Sequence, residues 1–156
     1  MKKIYVVLFA FIISNCADVA LSIDKNNPVL EIISFDVVEK KILLEENLPD
    51  RVHSLLNKWF ENKIKINGFD GEMIFTVYDY KQEISKISDG KRVDISMKFQ
   101  FLLKKPSLSY RKLVEGEVSS FGTLSGTFSL SEFDVIIQNT QSDLIYRLGR
   151  DLKAKI

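Results

Sequence analysis

Cys16 and His53 are the residues of this sequence best suited to nucleophilic or metal chemistry, and each is the only residue of its type. A lone imidazole has no second histidine and no nearby thiolate with which to build a metal site. The sequence contains no GxSxG nucleophile elbow and no glycine-rich phosphate loop of familiar spacing. These residue types predict a protein that is not an enzyme and that holds no metal or cofactor. We interpret His53 as an ordinary residue beside the apolar stripe of a helix.

Paired carboxylates are the remaining route to general acid–base chemistry. Glu115 and Glu117 lie two residues apart in a predicted strand, so their side chains share one face of it. Two like charges on one face are typical of the solvated side of a strand, and we interpret them that way. The alternative, an enzyme, would require a cleft in which His53 meets a carboxylate and a hydroxyl within hydrogen-bond reach.

An export signal precedes Cys16. The chain begins MKK, and a run of ten apolar residues, IYVVLFAFII, follows. A helix that crosses a bilayer needs about 20 apolar residues, so this run is typical of a signal-peptide core and not of a membrane anchor. The expected organisation is a signal peptide at residues 1–15, a lipidated tether at 16–28 and a single α+β domain at 29–156.

The segment Ile13-Ser14-Asn15-Cys16 resembles a bacterial lipobox, in which an apolar residue and two small residues precede the modified cysteine. A thiol accepts a thioether-linked diacylglycerol. Two or three acyl chains then hold a protein on a membrane durably, at about 0.8 kcal/mol per buried methylene. The resemblance implies lipid attachment at Cys16.

The alternative is conventional cleavage of the signal after Ala17, with Cys16 incidental. Because the chain has one cysteine, that thiol would then stay unpaired in an oxidising compartment. If Cys16 is lipidated, Ala17 occupies the position where Asp would retain a lipoprotein in the inner membrane. By analogy with enterobacterial sorting, this favours the outer membrane, with the domain facing the periplasm.

The charge balance argues against a nucleic-acid partner. The net charge of +1 includes Lys2 and Lys3 of the export signal, so the mature domain is near neutral. Nucleic-acid affinity comes mainly from neutralising phosphates, and a neutral domain has no strong field with which to gather them.

Hydrophobic periodicity predicts the elements that follow the tether. Residues rich in β-branched and aromatic types, or alternating between apolar and polar, predict four strands, at 29–38, 73–80, 93–101 and 113–123. Spacings of three and four predict two helices, the first opening at Asn47 to Asp50 and ending at Asn67-Gly68, the second capped around Ser129 and Ser131 with Glu132 and Asp134. The apolar stripes are Val52, Leu55, Leu56, Trp59, Phe60 and Ile64 in the first helix, and Phe133, Ile137, Thr140, Leu144, Leu148 and Leu152 in the second.

This order of elements, βαβββα, predicts an α+β fold. A four-stranded, mostly antiparallel sheet with two helices packed on one face would bury both stripes at once. Asp89-Gly90 is expected to form the turn between the second and third strands. Gly116 and Gly122 suggest that the fourth strand lies at an edge or carries a bulge.

Two further groups of residues each leave two interpretations open. The basic cluster at the end of the second helix either complements the helix dipole or touches anionic lipid headgroups; it comprises Arg147, Arg150, Lys153 and Lys155. Tyr78, Tyr80 and Phe121 either form an exposed aromatic patch for a partner or belong to the core.

With a cysteine-containing signal and this element order, the chain resembles two sets of bacterial envelope lipoproteins. One is the lipopolysaccharide-assembly lipoprotein family, whose small βαβββα domains sit inside an outer-membrane barrel; this chain has Ala-Asp-Val-Ala-Leu-Ser after Cys16 where that family often has Gly-aromatic-x-Pro-Leu-Tyr. The other is a group of short alphaproteobacterial lipoproteins, similar in a helix that carries Trp59, a turn at Gly68 to Gly71 and a long charged C-terminal helix at about 131–153. The second resemblance implies no activity.

The expected function is that of a non-enzymatic envelope lipoprotein, an accessory or scaffold subunit of a cell-envelope complex. Its expected partners are the membrane, through the lipid anchor, and an envelope protein. The alternative is a periplasmic module that binds a lipid or another amphiphile, for which the lipopolysaccharide-assembly type is the example. A continuous apolar void behind Trp59 and Phe60 would favour the carrier, whereas a filled core would favour the scaffold.

Overall fold

Six strands and two helices form the part of the chain that this computed structural model describes, residues 32–156. They are β1 (Ile33–Phe35), β2 (Glu39–Leu44), α1 (Asp50–Lys63), β3 (Ile64–Ile66), β4 (Glu72–Ile87), β5 (Gly90–Lys105), β6 (Tyr110–Ser125) and α2 (Leu130–Lys155), with a 3-10 turn at Pro106–Leu108. The expected signal peptide, tether and Cys16 lie outside the described residues.

The main sheet has four strands in the order β2-β4-β5-β6. Strand β2 pairs parallel with β4 because α1 carries the chain back across the sheet, as a parallel connection requires. Strands β4, β5 and β6 are antiparallel neighbours, and Asp89-Gly90 forms the first turn as expected. Both helices pack on one face of this sheet, so the predicted α+β fold is confirmed. A small parallel pair, β1 with β3, lies beside it.

Strand β5 builds the centre of the core. Its buried residues are the five that the alternation predicted, Val93, Ile95, Met97, Phe99 and Phe101. Aromatic rings from β4 and α1 complete this layer. The predicted stripe of α1 is also buried, except that Leu55 is only partly covered.

The first strand of the main sheet is not the one that the sequence predicted. Of residues 29–38, the described part contributes only β1, which pairs with β3. Strand β2, with the sequence EKKILL, takes the edge position instead. The two lysines of this segment are not typical of a strand, so the sequence did not predict β2. Lys40 is accommodated because its Nζ donates to the carbonyl of Ile64 at 3.1 Å and to Glu61 Oε2 at 2.9 Å.

Helix α1 begins within the predicted opening but ends earlier than predicted. Its N-cap is Pro49, and its C-cap is Ile64, which is already extended. The chain leaves the helix there because β-branched Ile64 pairs with Ile33 in the small sheet. The predicted stop at Asn67-Gly68 is therefore wrong. Gly68 instead allows a close approach, since a Cβ there would lie 2.4 Å from the carbonyl carbon of Asp36.

Strand β4 extends well beyond its predicted end at Tyr80 and carries the irregularity expected of β6. The β4–β5 register shifts between Tyr78 and Lys81, and Asp79 adopts a positive φ of 54°. Strand β6 is an edge strand, as predicted, but its register with β5 is continuous. Gly122 admits α2 there, because a Cβ would lie 2.4 Å from Thr140 Oγ1.

Helix α2 begins at the predicted cap. Ser129 Oγ accepts a hydrogen bond from the Glu132 amide at 3.2 Å, and Glu132 Oε2 accepts one from the Ser129 amide at 2.7 Å. This reciprocal capping box satisfies two backbone donors. The predicted stripe faces the sheet, with Ile137 only partly buried and Ile136 and Ile145 buried in addition.

Candidate functional site

The face of the main sheet opposite the helices is covered by neither α1 nor α2. We call it the open face. Strand residues alternate between the two sides of a sheet, so the open face comprises the side chains that alternate with the buried ones. They are Lys41, Leu43, Ile74, Thr76, Tyr78, Lys81, Glu83, Asp94, Ser96, Lys98, Gln100, Leu102, Leu113, Glu115, Glu117, Ser119 and Phe121.

An ion-pair cluster lies at the middle of the open face, where β2 ends and β4 bulges. Asp79 Oδ2 lies 2.7 Å from Lys98 Nζ, and Asp79 Oδ1 lies 3.3 Å from Lys81 Nζ. The hydrogen bond from Lys98, followed by that from Lys81, lowers the pKa of Asp79. The same contact raises the pKa of Lys98. Asp79 is therefore an ionised, fully engaged carboxylate and a poor proton acceptor at neutral pH.

A shallow depression of about 210 Å³ lies next to this cluster. Small residues form part of its lining, because Ser96 on β5 pairs with Ser119 on β6. One wall is Arg92, whose guanidinium lies 4.3 Å from the centre of the Phe121 ring. Arg92 is also held by both oxygens of Asp94, through Nε at 2.8 and 2.9 Å. The depression suits the tip of a side chain better than a whole ligand.

An apolar row crosses the other end of the open face. Ile74, Leu102 and Leu113 are paired across β4, β5 and β6, and Leu43 on β2 is exposed beside them. Apolar side chains next to polar, charge-paired ones are the usual composition of a non-obligate protein interface. The open face thus carries both an apolar row and a charge-paired cluster.

His53 lies away from the open face, exposed on α1. Its Nδ1 is 3.0 Å from Nδ2 of Asn57, one turn along the helix. Within residues 32–156, no group of three His, Cys, Asp or Glu side chains is arranged to hold a metal ion. The structure thus gives His53 a helix-surface role.

Glu115 and Glu117 are exposed on the open face, as the solvated interpretation predicted. Glu115 Oε1 accepts a hydrogen bond from Gln100 Nε2 at 2.7 Å. Glu117 is paired across the sheet with Lys98, whose pKa it helps to raise. Both carboxylates belong to cross-strand polar contacts.

Two residues of the C-terminal basic cluster make contacts within α2 or with the sheet. Arg147 Nε lies 2.6 Å from Asp143 Oδ2, which also accepts a hydrogen bond from Ser120 of β6 at 2.6 Å. Lys155 donates to the carbonyl of Glu115 at 3.1 Å and lies over the ring of Phe99. These contacts support the structural interpretation of the cluster more than a role at lipid headgroups.

The predicted aromatic patch is divided between the two sides of the sheet. Tyr78 and Phe121 are exposed on the open face. Tyr80 lies at the bulge and turns towards the core, where its hydroxyl donates to Gln82 Oε1 at 3.0 Å. Burial raises the pKa of Tyr80. The two-residue alternation could not foresee this division because the bulge changes which side each residue faces.

Aromatic rings from the sheet pack behind Trp59 and Phe60. The ring of Phe75 on β4 lies 5.4 Å from that of Trp59, 6.2 Å from that of Phe60 and 5.9 Å from that of Phe99, centre to centre. These are contact distances for aromatic pairs. These rings belong to the hydrophobic core between α1 and the sheet.

No family model and no curated protein sequence matches this chain. Solved structures do match. The match to the minor lipoprotein from Acinetobacter baumannii spans 76% of this chain and 93% of that protein, with a TM-score of 0.52 and 10% sequence identity. The match to the uncharacterized lipoprotein B from Nitrosomonas europaea spans 80% of this chain and 87% of that protein, with a TM-score of 0.53 and 12% sequence identity. At these identities the likeness shows a shared fold.

Neither helix of residues 32–156 combines the length and the apolar character needed to cross a bilayer.

Only part of the open face can be predicted from the sequence. The polar residues Asp94, Ser96, Lys98 and Gln100 alternate with the core residues of β5, so one strand of the surface was readable. The apolar row was not, because it depends on the register among β4, β5 and β6. Register is set by turns and packing across the sheet.

Proposed function

We propose that this protein is a non-enzymatic lipoprotein of the cell envelope, anchored through Cys16, and that it acts as an accessory or scaffold subunit of an envelope complex. The observation that carries the proposal is the open face. It combines an apolar row, a cluster of ion pairs and a shallow depression on one side of a sheet whose other side carries the hydrophobic core. An envelope protein is the partner that we propose for it.

Lipid anchoring rests on the resemblance of Ile13 to Cys16 to a lipobox, and the fold shared with two bacterial lipoproteins supports it. Residue Ala17 supports placement at the outer membrane with the domain in the periplasm. The proposed function involves no nucleic acid, metal or cofactor.

The proposal that the protein is not an enzyme rests on how the candidate groups are engaged. His53 contacts Asn57 on an exposed helix surface. Asp79 and Asp94 are held by cationic partners that lower their pKa values. A general base needs a pKa close to the working pH, and these carboxylates are shifted away from it.

Site-specific photo-crosslinking in cells tests the scaffold role. A photoreactive phenylalanine analogue replaces Leu113 on the open face, and the matched control places it at Asn62, exposed on α1. We expect a discrete covalent adduct of higher mass in the membrane fraction from position 113 and not from position 62. Two further variants carry the analogue at Ser96 or Gln100, also on the open face. Equal adducts at positions 113 and 62, or no adduct from any of the three open-face positions, would contradict a partner on this face.

A further inference from the structure

Three chain segments meet at one end of the main sheet, and we call this the loop end. It consists of residues 36–38, 67–71 and 106–109. Each segment presents an exposed apolar side chain: Phe69 is 98% exposed, Leu108 69% and Val38 56%. An isolated exposed apolar residue is ordinary on a protein surface, but a group of them from adjacent loops indicates a binding surface.

The loop end is held together by hydrogen bonds. Asp70 accepts hydrogen bonds from the amide of Ser107, at 3.1 Å, and from its hydroxyl. These two bonds lower the pKa of Asp70. Phe69 and Leu108 are the chain neighbours of this pair, so the two segments that carry these side chains are held together.

The first segment is joined to the second by backbone hydrogen bonds. The carbonyl of Gly71 accepts hydrogen bonds from the amides of Val38 and Glu39, at 3.2 and 3.3 Å. An ion pair between Lys105 and Asp36 links the first segment to the end of β5. The exposed apolar tips therefore project from a braced surface.

The position where the tether joins the domain identifies what this surface meets. Ile32, where the described chain starts, leads through the three residues of β1 directly into residues 36–38, a distance of about 10–15 Å. The opposite end of the molecule, the β4–β5 turn, lies about 50 Å from Gly71 along β4. Cys16 is separated from Ile32 by at most about 55 Å of chain. Because the chain enters the domain near the loop end, this end is the one that the tether holds nearer to the membrane that carries the lipid.

We infer that the loop end docks on the lipid surface, with Phe69 and Leu108 inserted among the headgroups and upper acyl chains. This inference rests on the proposed lipid anchor and adds an orientation to it. Aromatic and aliphatic side chains at loop tips gain by leaving water at this depth. Lys104 and Lys105 are neutralised by Glu72 and Asp36, so apolar insertion dominates over charge attraction. With the loop end on the membrane, the open face stands beside it, accessible to a neighbouring envelope protein.

The test uses the full-length lipidated protein reconstituted into phosphatidylethanolamine–phosphatidylglycerol vesicles, prepared with and without brominated acyl chains. One variant carries Phe69→Trp, a second carries Leu108→Trp, and the control carries Ile84→Trp near the β4–β5 turn. Trp59 is buried in each and gives a constant background. We expect the emission of both loop-end tryptophans to shift to shorter wavelength and to be quenched by the brominated lipid, and that of the control to remain unchanged.

Flotation of the same vesicles separates this inference from the proposed function. A protein that floats with the vesicles but shows no quenching at positions 69 and 108, or equal quenching at position 84, is anchored but not oriented, and the inference is then wrong. A lipidated preparation that does not float overturns the anchor and this orientation together. Because Phe69 is almost wholly exposed, its replacement leaves the core intact. Near-ultraviolet circular dichroism, to which the buried Trp59 contributes, verifies the fold.

Discussion

Phe75 on β4 packs between α1 and the rest of the core. Its ring contacts those of Trp59, Phe60 and Phe99, so it joins the helix to two strands. Phe121, a residue of the same type, lies on the other side of the sheet and contacts Arg92. These two phenylalanines allow the same substitution to be compared at a buried and an exposed position.

We expect Phe75→Ala to lower the free energy of unfolding by about 3–5 kcal/mol, because it removes a large buried side chain and leaves a cavity. The matched control, Phe121→Ala, should cost less than about 1 kcal/mol, since that ring is largely exposed. Urea denaturation monitored through Trp59 measures both. Equal losses for the two variants would contradict the packing described here.

Gly122 sets the distance between β6 and α2. A methyl group there would lie 2.4 Å from Thr140 Oγ1 and 2.8 Å from Ile136 Cγ2. We expect Gly122→Ala to destabilise the protein by about 1–3 kcal/mol through overpacking. Ser119→Ala on the exposed side of the same strand should change the stability by less than about 0.5 kcal/mol. Thermal denaturation distinguishes the two, and a neutral Gly122→Ala would show that α2 does not approach β6 this closely.

At the scale of elements, β5 and α2 were predictable because local signals agreed with the global fold. The alternation over 93–101 placed the right five side chains in the core, and Ser129 with Glu132 marked the start of α2. Strand β2 and the end of α1 were not predictable in the same way. EKKILL becomes a strand through pairing with β4, and Ile64 leaves the helix to pair with Ile33; both depend on partners distant in sequence, which override local propensity.

The capping box of α2 makes a testable contribution. We expect Ser129→Ala to lower the free energy of unfolding by about 1 kcal/mol, because the amide of Glu132 loses its acceptor. Ser131→Ala, inside the first turn, serves as the control and should have a smaller effect. Circular dichroism during urea denaturation measures both, and a larger loss from Ser131→Ala would contradict the cap assigned to Ser129.

For the whole molecule, stability should depend on pH through a set of engaged carboxylates. The pKa values of Glu72, Asp79 and Asp94 are lowered by Lys104, Lys98 and Arg92. A lowered folded-state pKa contributes stability that is present above the unfolded-state pKa and is lost as the pH falls through the folded-state value. We expect the urea midpoint to be constant from about pH 7 to pH 5 and to decline below about pH 4.

Asp79→Asn tests the contribution of the central cluster to this decline. Asparagine tolerates the positive φ of position 79, so the bulge should be kept while the charge is lost. The variant should be less stable than the original protein at pH 7 and should lose less stability on acidification. A decline as steep as that of the original protein would contradict the role assigned to Asp79.

The surfaces of the whole molecule were only partly predictable from the sequence. The alternation in β5 exposed one polar strand of the open face, whereas the apolar row of Ile74, Leu102 and Leu113 exists only once three strands are in register. The loop end was not singled out at all, because Phe69, Leu108 and Val38 are far apart along the chain. The hydrogen bonds of Asp70 and Gly71 bring them together.

Lipid attachment at Cys16 is the claim on which the proposed location and orientation depend. Cells producing the protein are grown with labelled palmitate, and the protein and its Cys16→Ser variant are isolated from the membrane fraction and from the remaining cell extract. We expect the label only in the original protein, in the membrane fraction, with an N-terminus that begins at a modified Cys16. Equal labelling of both proteins, or an intact unlabelled chain that retains residues 1–15 outside the membrane fraction, would contradict the account.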